Sequence, residues 1–148
     1  MGSGMVDISS KEIVAREAKA CGRIYLKPST VEAIRGGSIS KGDVFEVTKA
    51  VALNAVKDTS RILPFCHPIP IEWIGFEYSL GDNYVEVCVS VKARAKTGVE
   101  MEALTGVLLA LDNIWDMVKS LEKNEQGQYE STRIGDVRVV YKIKEAIA

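Results

Sequence analysis

Apolar and polar residues alternate with period two in several stretches of the chain and recur near every 3.6 residues in others. Over residues 12–26, Val14, Ala18, Ala20, Ile24 and Leu26 share one face of a strand. Arg16 falls on that same face, out of place at a core position. Residues 84–95 alternate most cleanly, with Val85, Val87, Val89, Val91 and Ala93 on one side. A last strand, about 129–144, is predicted to turn Val137, Val139, Tyr141 and Ile143 inward. Residues 70–80 are rich in Ile, Trp, Phe and Tyr and form a fourth strand. Its apolar phase changes between Trp73 and Ile74, the mark of a bulge or twist. Gly81-Asp82-Asn83 supplies the turn that follows.

Helical spacing governs the rest. Residues 43–59 set Val44, Val47, Val51 and Ala55 on one face, with Phe45, Ala52 and Val56 alongside. Asp43 is a good N-cap for that helix. Ser29-Thr30 would cap a short helix through Ile34, stopped by Gly36-Gly37. Residues 100–121 make the longest and most apolar helix. Pro64 and Pro68 frame a loop, and residues 123–128 form a polar one. The order β-α-(α)-β-β-α-β gives an α+β fold: a ferredoxin-like split βαβ plan, with an antiparallel four-stranded sheet and helices packed on one face. No repeat or linker divides the chain, so residues 1–148 read as a single domain with a flexible start over 1–5. The sheet's other face would carry Lys92, Arg94 and Lys96 on one strand and Arg138 and Lys142 on another. Nearby aromatic residues favour an oligomer.

Composition narrows the class. Apolar residues make up 47% and charged residues 26% of 148, which excludes a disordered tail, a collagen-like repeat or a coiled-coil rod. Lys and Arg number 19 against 20 acids, so the net charge is −1 and the basic excess of a nucleic-acid binder is missing. A small anionic ligand stays open, because local charge decides there. Apolar runs fall well short of the ~18 residues of a membrane span, and the N-terminus does not read as a signal peptide. Three cysteines, with no C-x-x-C pair, suggest neither a disulfide framework nor a zinc site. That usage suits a reducing cytoplasm.

Candidate chemistry gathers at four places. On the long helix, Glu102, Thr105, Asp112, Asp116 and Lys119 fall within roughly a 100° arc. Asp116 and Lys119 are spaced i,i+3 and can touch. This stripe is either a solvated outer face or an acid–base pair at a cleft wall. A lysine beside a carboxylate keeps its charge and binds phosphate; partly buried, it exchanges protons. At the helix entrance, Lys96-Thr97-Gly98-Val99-Glu100-Met101-Glu102 offers a tight turn and free N–H groups for an anion. Glu100 and Glu102 lie ~200° apart around the helix, so they would serve different purposes. Cys66-His67-Pro68 holds the only histidine. A lone histidine is commonly structural, but Pro68 holds its backbone extended and aims the side chain. Cys66 is a candidate thiol with no evident activating neighbour. Lys41, just ahead of the Asp43 cap, meets the positive end of a helix dipole, a conflict that an anionic ligand would relieve. Gly37-Ser38-Ile39-Ser40-Lys41-Gly42 has a P-loop composition without the Gly-Lys-Ser/Thr ending. Ser38-x-x-Lys41 with Lys96-Thr97-Gly98 lacks the third β-lactamase element.

Five blocks, taken in order, resemble one family: Met5-Val6-Asp7-Ile8-Ser9, Lys41-Gly42-Asp43-Val44, Pro64-Phe65-Cys66-His67-Pro68, Lys96-Thr97-Gly98-Val99-Glu100-Met101-Glu102-Ala103-Leu104-Thr105 and Asp116-Met117-Val118-Lys119. They are similar to the molybdenum cofactor biosynthesis protein C family, the cyclic pyranopterin monophosphate synthases, from Met5 to about Val140. The resemblance implies a ferredoxin-like fold in a homo-hexamer of three dimers, with sites at dimer interfaces. It implies conversion of 3′,8-cyclo-7,8-dihydro-GTP, made by a partner radical enzyme, into cyclic pyranopterin monophosphate and pyrophosphate. Lys41, Asp116 and Lys119 match the family's acid–base set. Cys66, His67, Glu100, Met101 and Glu102 match its pocket lining, and Arg16 matches an arginine that holds phosphates across the interface. No redox cofactor or protein metal site is implied, although Mg²⁺ can accompany the triphosphate. Two departures stand out. Leu63 and Phe65 replace aliphatic residues, and Lys142-Ile143-Lys144-Glu145 stands where many members carry Lys-Ser-Gly-Gly. The alternative is a non-enzymatic ferredoxin-like oligomeric module binding an anionic small molecule. It would leave the placement of Lys41, Asp116 and Lys119 unexplained.

Overall fold

A computed structural model describes residues 2–147. Of the flexible start expected over residues 1–5, Met1 lies outside the described residues; Gly2–Met5 are exposed and outside any helix or strand. The elements are β1 (Val14–Tyr25), α1 (Pro28–Arg35), α2 (Val44–Lys57), α3 (Thr59–Ile62), β2 (Ile71–Leu80), β3 (Tyr84–Ala95), α4 (Glu100–Glu122) and β4 (Arg133–Glu145). The sheet order is β2-β3-β1-β4 with every pairing antiparallel. This is the split βαβ arrangement that the element order predicts.

The valines of β3 and Ala18, Ala20 and Ile24 of β1 are fully buried, as are Ala103, Val107, Ala110, Leu111 and Ile114 of α4. Small residues set the spacing. A Cβ at Gly22 would stand 2.9 Å from side-chain atoms of Val107 and Val137, so bare backbone lets α4 sit down on β1. Gly106 does the same for α2, where the nearest atom is on Val56. Asp43 caps α2 as expected, its side chain accepting from the Glu46 N–H at 3.0 Å.

Three expectations change. The first concerns α1, whose N-cap is Lys27 with Pro28 in the first turn and no side-chain cap. Thr30 instead donates its hydroxyl to Glu122 at 2.5 Å. Glu122, only 1% exposed, also accepts from the Lys27 N–H at 3.1 Å and the Thr132 hydroxyl at 2.6 Å. One buried carboxylate thus fastens the end of α4 to α1 and to the approach to β4, with its lone pairs matched to donors.

The second is the facing of β4. Its register with β1 shifts between Lys19 and Ala20 and again between Cys21 and Arg23. Each shift reverses the alternation. Val137 packs against the core, but Tyr141 turns to the far face, where its hydroxyl donates to Glu17 at 2.5 Å. Val139 keeps the core-side facing, opposite Ala20, but stays 37% exposed on the edge strand, whereas Ile143, opposite Glu17, turns to the far face. Lys142, assigned to the far face, instead reaches Glu100 on α4.

The third is the cysteines. Cys21 and Cys88 stand opposite one another in the β1–β3 register and form a disulfide. Spacing along the chain gives no sign of it, because the pair is created by strand register across 67 residues. Among the described residues, the one Cys/Glu grouping with metal-ligand proximity is Cys21, Glu86 and Cys88, and its two sulfurs are bonded to each other. The cysteine-based argument for a reducing compartment therefore falls away.

Candidate functional site

The first cluster forms where the loop before α2 meets the last third of α4. Gly42, at φ 125°, and the Asp43 cap turn the chain into α2 and direct Lys41 outward. Lys41 Nζ donates to the Asp116 carbonyl at 3.0 Å and to Asp116 Oδ2 at 3.2 Å. Lys119 Nζ lies 3.1 Å from Asp116 Oδ1. One carboxylate thus bridges two ammonium groups drawn from distant parts of the sequence. Hydrogen bonds from Lys119 and then Lys41, reinforced by their charges, hold the Asp116 carboxyl below the usual carboxylate range. The set remains partly exposed, open to a substrate. The predicted stripe divides here: Asp112, Asp116 and Lys119 face outward, while Glu102 and Thr105 are buried.

The second cluster lies at the entrance to α4. A cleft of about 560 Å³ opens between the loop holding Phe65, Cys66 and His67 and the segment holding Gly98, Glu100 and Met101. Val99 is the N-cap without a side-chain cap, so the entrance keeps its free N–H groups. Cys66 Sγ lies 3.7 Å from Glu102 Oε2. Burial, followed by the nearby Glu102 and Glu100 carboxylates, pushes the Cys66 thiol up, away from nucleophile chemistry. Both glutamates therefore act on one thiol, although their helical angle had set them apart. Glu102 is 2% exposed, and burial raises its carboxyl above the ordinary value. Its Oε1 and Glu100 Oε2 are buried without hydrogen-bond partners. Glu100 Oε1 is 3.4 Å from Lys142 Nζ. His67 Nε2 is 2.8 Å from the Val6 carbonyl, to which it donates. Arg16 is half-buried; its Nε donates to the Ala95 carbonyl at 3.4 Å, and it shares a groove with Glu100, Lys142 and Lys144. Lys142, which the β4 bulge hides from period-two reading, is thus a site neighbour that sequence reasoning misses.

Along α4, fourteen residues separate Glu102 from Asp116, about 21 Å at the helical rise. Reacting atoms must approach to ~3–3.5 Å. Within one chain the two clusters are therefore too far apart for a single reacting group to touch both. The buried Glu102 carboxyl, whose Oε1 has no hydrogen-bond partner among the described residues, also costs stability. Glu102→Gln is expected to stabilise the fold by about 1 kcal/mol at neutral pH while lowering activity. Chemical denaturation and an activity assay on the same preparation check this. A destabilised variant with full activity would contradict it.

Fold and site together define a small α+β protein with a Lys–Asp–Lys centre at one end of a helix and a carboxylate-lined cleft at the other. The chain belongs to the MoaC family, whose sequence model matches residues 5–144. It is 56% identical over 140 residues to a probable cyclic pyranopterin monophosphate synthase of Methanoregula boonei, covering 95% of this chain and 90% of the relative. It is 56% identical over 143 residues to the protein of that name from Aeropyrum pernix, covering 97% and 98%. The one from Thermococcus kodakarensis is 50% identical over 143 residues, covering 97% and 92%.

Proposed function

We propose that the protein is a cyclic pyranopterin monophosphate synthase of molybdenum cofactor biosynthesis. It converts 3′,8-cyclo-7,8-dihydro-GTP into cyclic pyranopterin monophosphate and pyrophosphate. The observation that carries this reading is the convergence of Lys41 and Lys119 on Asp116. The reaction opens the reduced imidazole ring, closes the pterin and lets a ribose hydroxyl attack the α-phosphorus, expelling pyrophosphate. It needs proton transfer beside a triphosphate. The lysine ammonium groups neutralise charge developing on phosphorus oxygens. Lys119, poised by Asp116, and Lys41 exchange protons with the ring nitrogens and the hydroxyl. Arg16 holds phosphates, and Cys66, His67, Glu100, Met101 and Glu102 line the ring end. The chemistry is redox-neutral and calls for no resident cofactor; Mg²⁺ enters only with the triphosphate.

The roughly 21 Å of helix between Glu102 and Asp116 supports a working unit in which each site takes Lys41, Asp116 and Lys119 from one protomer and the α4 entrance from another. A homo-hexamer of three dimers fits this reading. Exposed apolar residues, Phe65 at 64% and Val140 at 48%, are suited to burial in such an assembly. In this reading the substrate is supplied by a radical enzyme acting on GTP, a source that suits a cytoplasmic location. The net charge of −1 does not suit a nucleic-acid surface, and among the described residues no helix is long and apolar enough to cross a bilayer.

Incubation with the cyclised GTP derivative is expected to release one pyrophosphate per pterin formed. Saturable binding without turnover would instead favour a binding module.

A further inference from the structure

The segment ahead of β1 is held across the cleft by His67, already placed at the ring end, and by Lys96, which has no part in the reaction described above. Val6 and Ile8 form part of the cleft wall opposite Phe65 and Met101. Residues 5–8 make no strand or helix, and Val6 is 74% exposed. Two side chains tether the segment from outside it. His67 Nε2–H donates to the Val6 carbonyl at 2.8 Å, and Lys96 Nζ donates to the Ser9 carbonyl at 3.2 Å. Between these tethers the segment is braced internally. The Ser9 N–H and hydroxyl both donate to Asp7 Oδ1, at 2.9 and 2.6 Å, and the Lys11 N–H donates to the Ile8 carbonyl at 3.0 Å.

A carbonyl oxygen can only accept, so the Nε2 proton of His67 is committed to the strap in this conformation. That donor is not free for a phosphate. The walls it holds are mainly apolar, suited to the faces of a flat ring. We infer that His67 and Lys96 are positioning residues that pin residues 6–9 over the cleft, making Val6 and Ile8 the wall against which the reduced purine or pterin ring packs. The inference rests on the proposed function and deepens it. Substrate binding then draws on a strap already in place, which lowers the ordering cost of association.

Lys96→Met in the full-length enzyme tests this, because Lys96 lies outside the acid–base set and its contacts are with the strap: it donates to the Ser9 carbonyl and sets a positive charge near Asp7. Two readouts are paired: amide hydrogen exchange over residues 6–10, with and without GTP as probe, and steady-state kinetics on the cyclised substrate. The variant is expected to exchange about tenfold faster in that segment and to raise KM about tenfold, with kcat within about twofold of wild type. Lys96→Arg should restore both. GTP should slow exchange in the wild-type strap. Faster exchange with unchanged KM, or exchange indifferent both to Lys96 and to GTP, would overturn the inference while leaving the synthase reading intact. A wild-type enzyme that fails to turn over the cyclised substrate would overturn the synthase reading, and the exchange response to GTP would still decide whether the strap meets a purine.

Discussion

Asp116→Ala is expected to lower kcat for pyrophosphate release by at least about a thousandfold, roughly 4 kcal/mol of transition-state stabilisation. Among the described residues, Asp116 is the one group paired with both Lys41 and Lys119. Without it, two ammonium groups face each other with no anion between them. Each then loses the partner that fixes its direction toward substrate. The carboxyl is exposed, so its removal leaves no cavity and no buried unpaired group, and stability should change little. Asp116→Asn keeps the shape but removes the charge and should fall nearly as far. Lys119→Ala should fall equally far, because residues acting as a unit are not additive. Initial rates of pyrophosphate release, with oligomer size monitored by scattering, check the prediction. A variant retaining more than about a tenth of the wild-type rate, a loss under ~1.4 kcal/mol, removes that residue from the acid–base set.

Breaking the Cys21–Cys88 bond should cost about 4 kcal/mol of stability. The bond closes a segment of 67 residues, and the chain-entropy treatment of a loop that long gives this magnitude. The closed segment contains α1, α2, α3 and β2, so the denatured chain gains freedom over almost half its length when the link is cut. Activity below the melting range should be unaffected. Gly22 packs on α4, so its neighbour Cys21 points to the opposite face of the sheet, away from both half-sites. Urea denaturation with and without a dithiol reductant measures the effect, and the Cys21→Ala/Cys88→Ala variant separates it from any effect at Cys66. A midpoint shift worth under about 1 kcal/mol would show that the bond adds little.

What can be read from the sequence follows the reach of each physical signal. β3 is legible because a central strand under a helix buries alternate residues without interruption, from Val85 to Ala93. α2 is legible because Asp43 announces its start. β4 is legible as an element but not in its facing, because two register shifts against β1 reverse an alternation that looks unbroken in one dimension. The period-two pattern therefore puts Lys142 on the wrong face and hides its contact with Glu100. The Cys21–Cys88 bond and the ties of Glu122 to α1 are hidden for a related reason. Both are made by partners 67 to 95 residues apart, brought together by packing rather than by local pattern. The Asp116–Lys119 pair was visible as an i,i+3 step, but the arrival of Lys41 on the same carboxylate needed the fold.

Mixing two inactive proteins tests the divided site most directly. One carries Lys119→Ala, which disables the Lys–Asp–Lys half-site. The other carries Glu100→Ala with His67→Ala, which disables the α4 entrance. After dissociation and reassembly, random pairing makes half of all dimers mixed, and each mixed dimer has one intact site and one doubly damaged site. If every site draws its halves from two protomers, the mixture recovers about a quarter of wild-type activity. If each protomer holds a complete site, the mixture stays as inactive as its components, and the divided site is wrong.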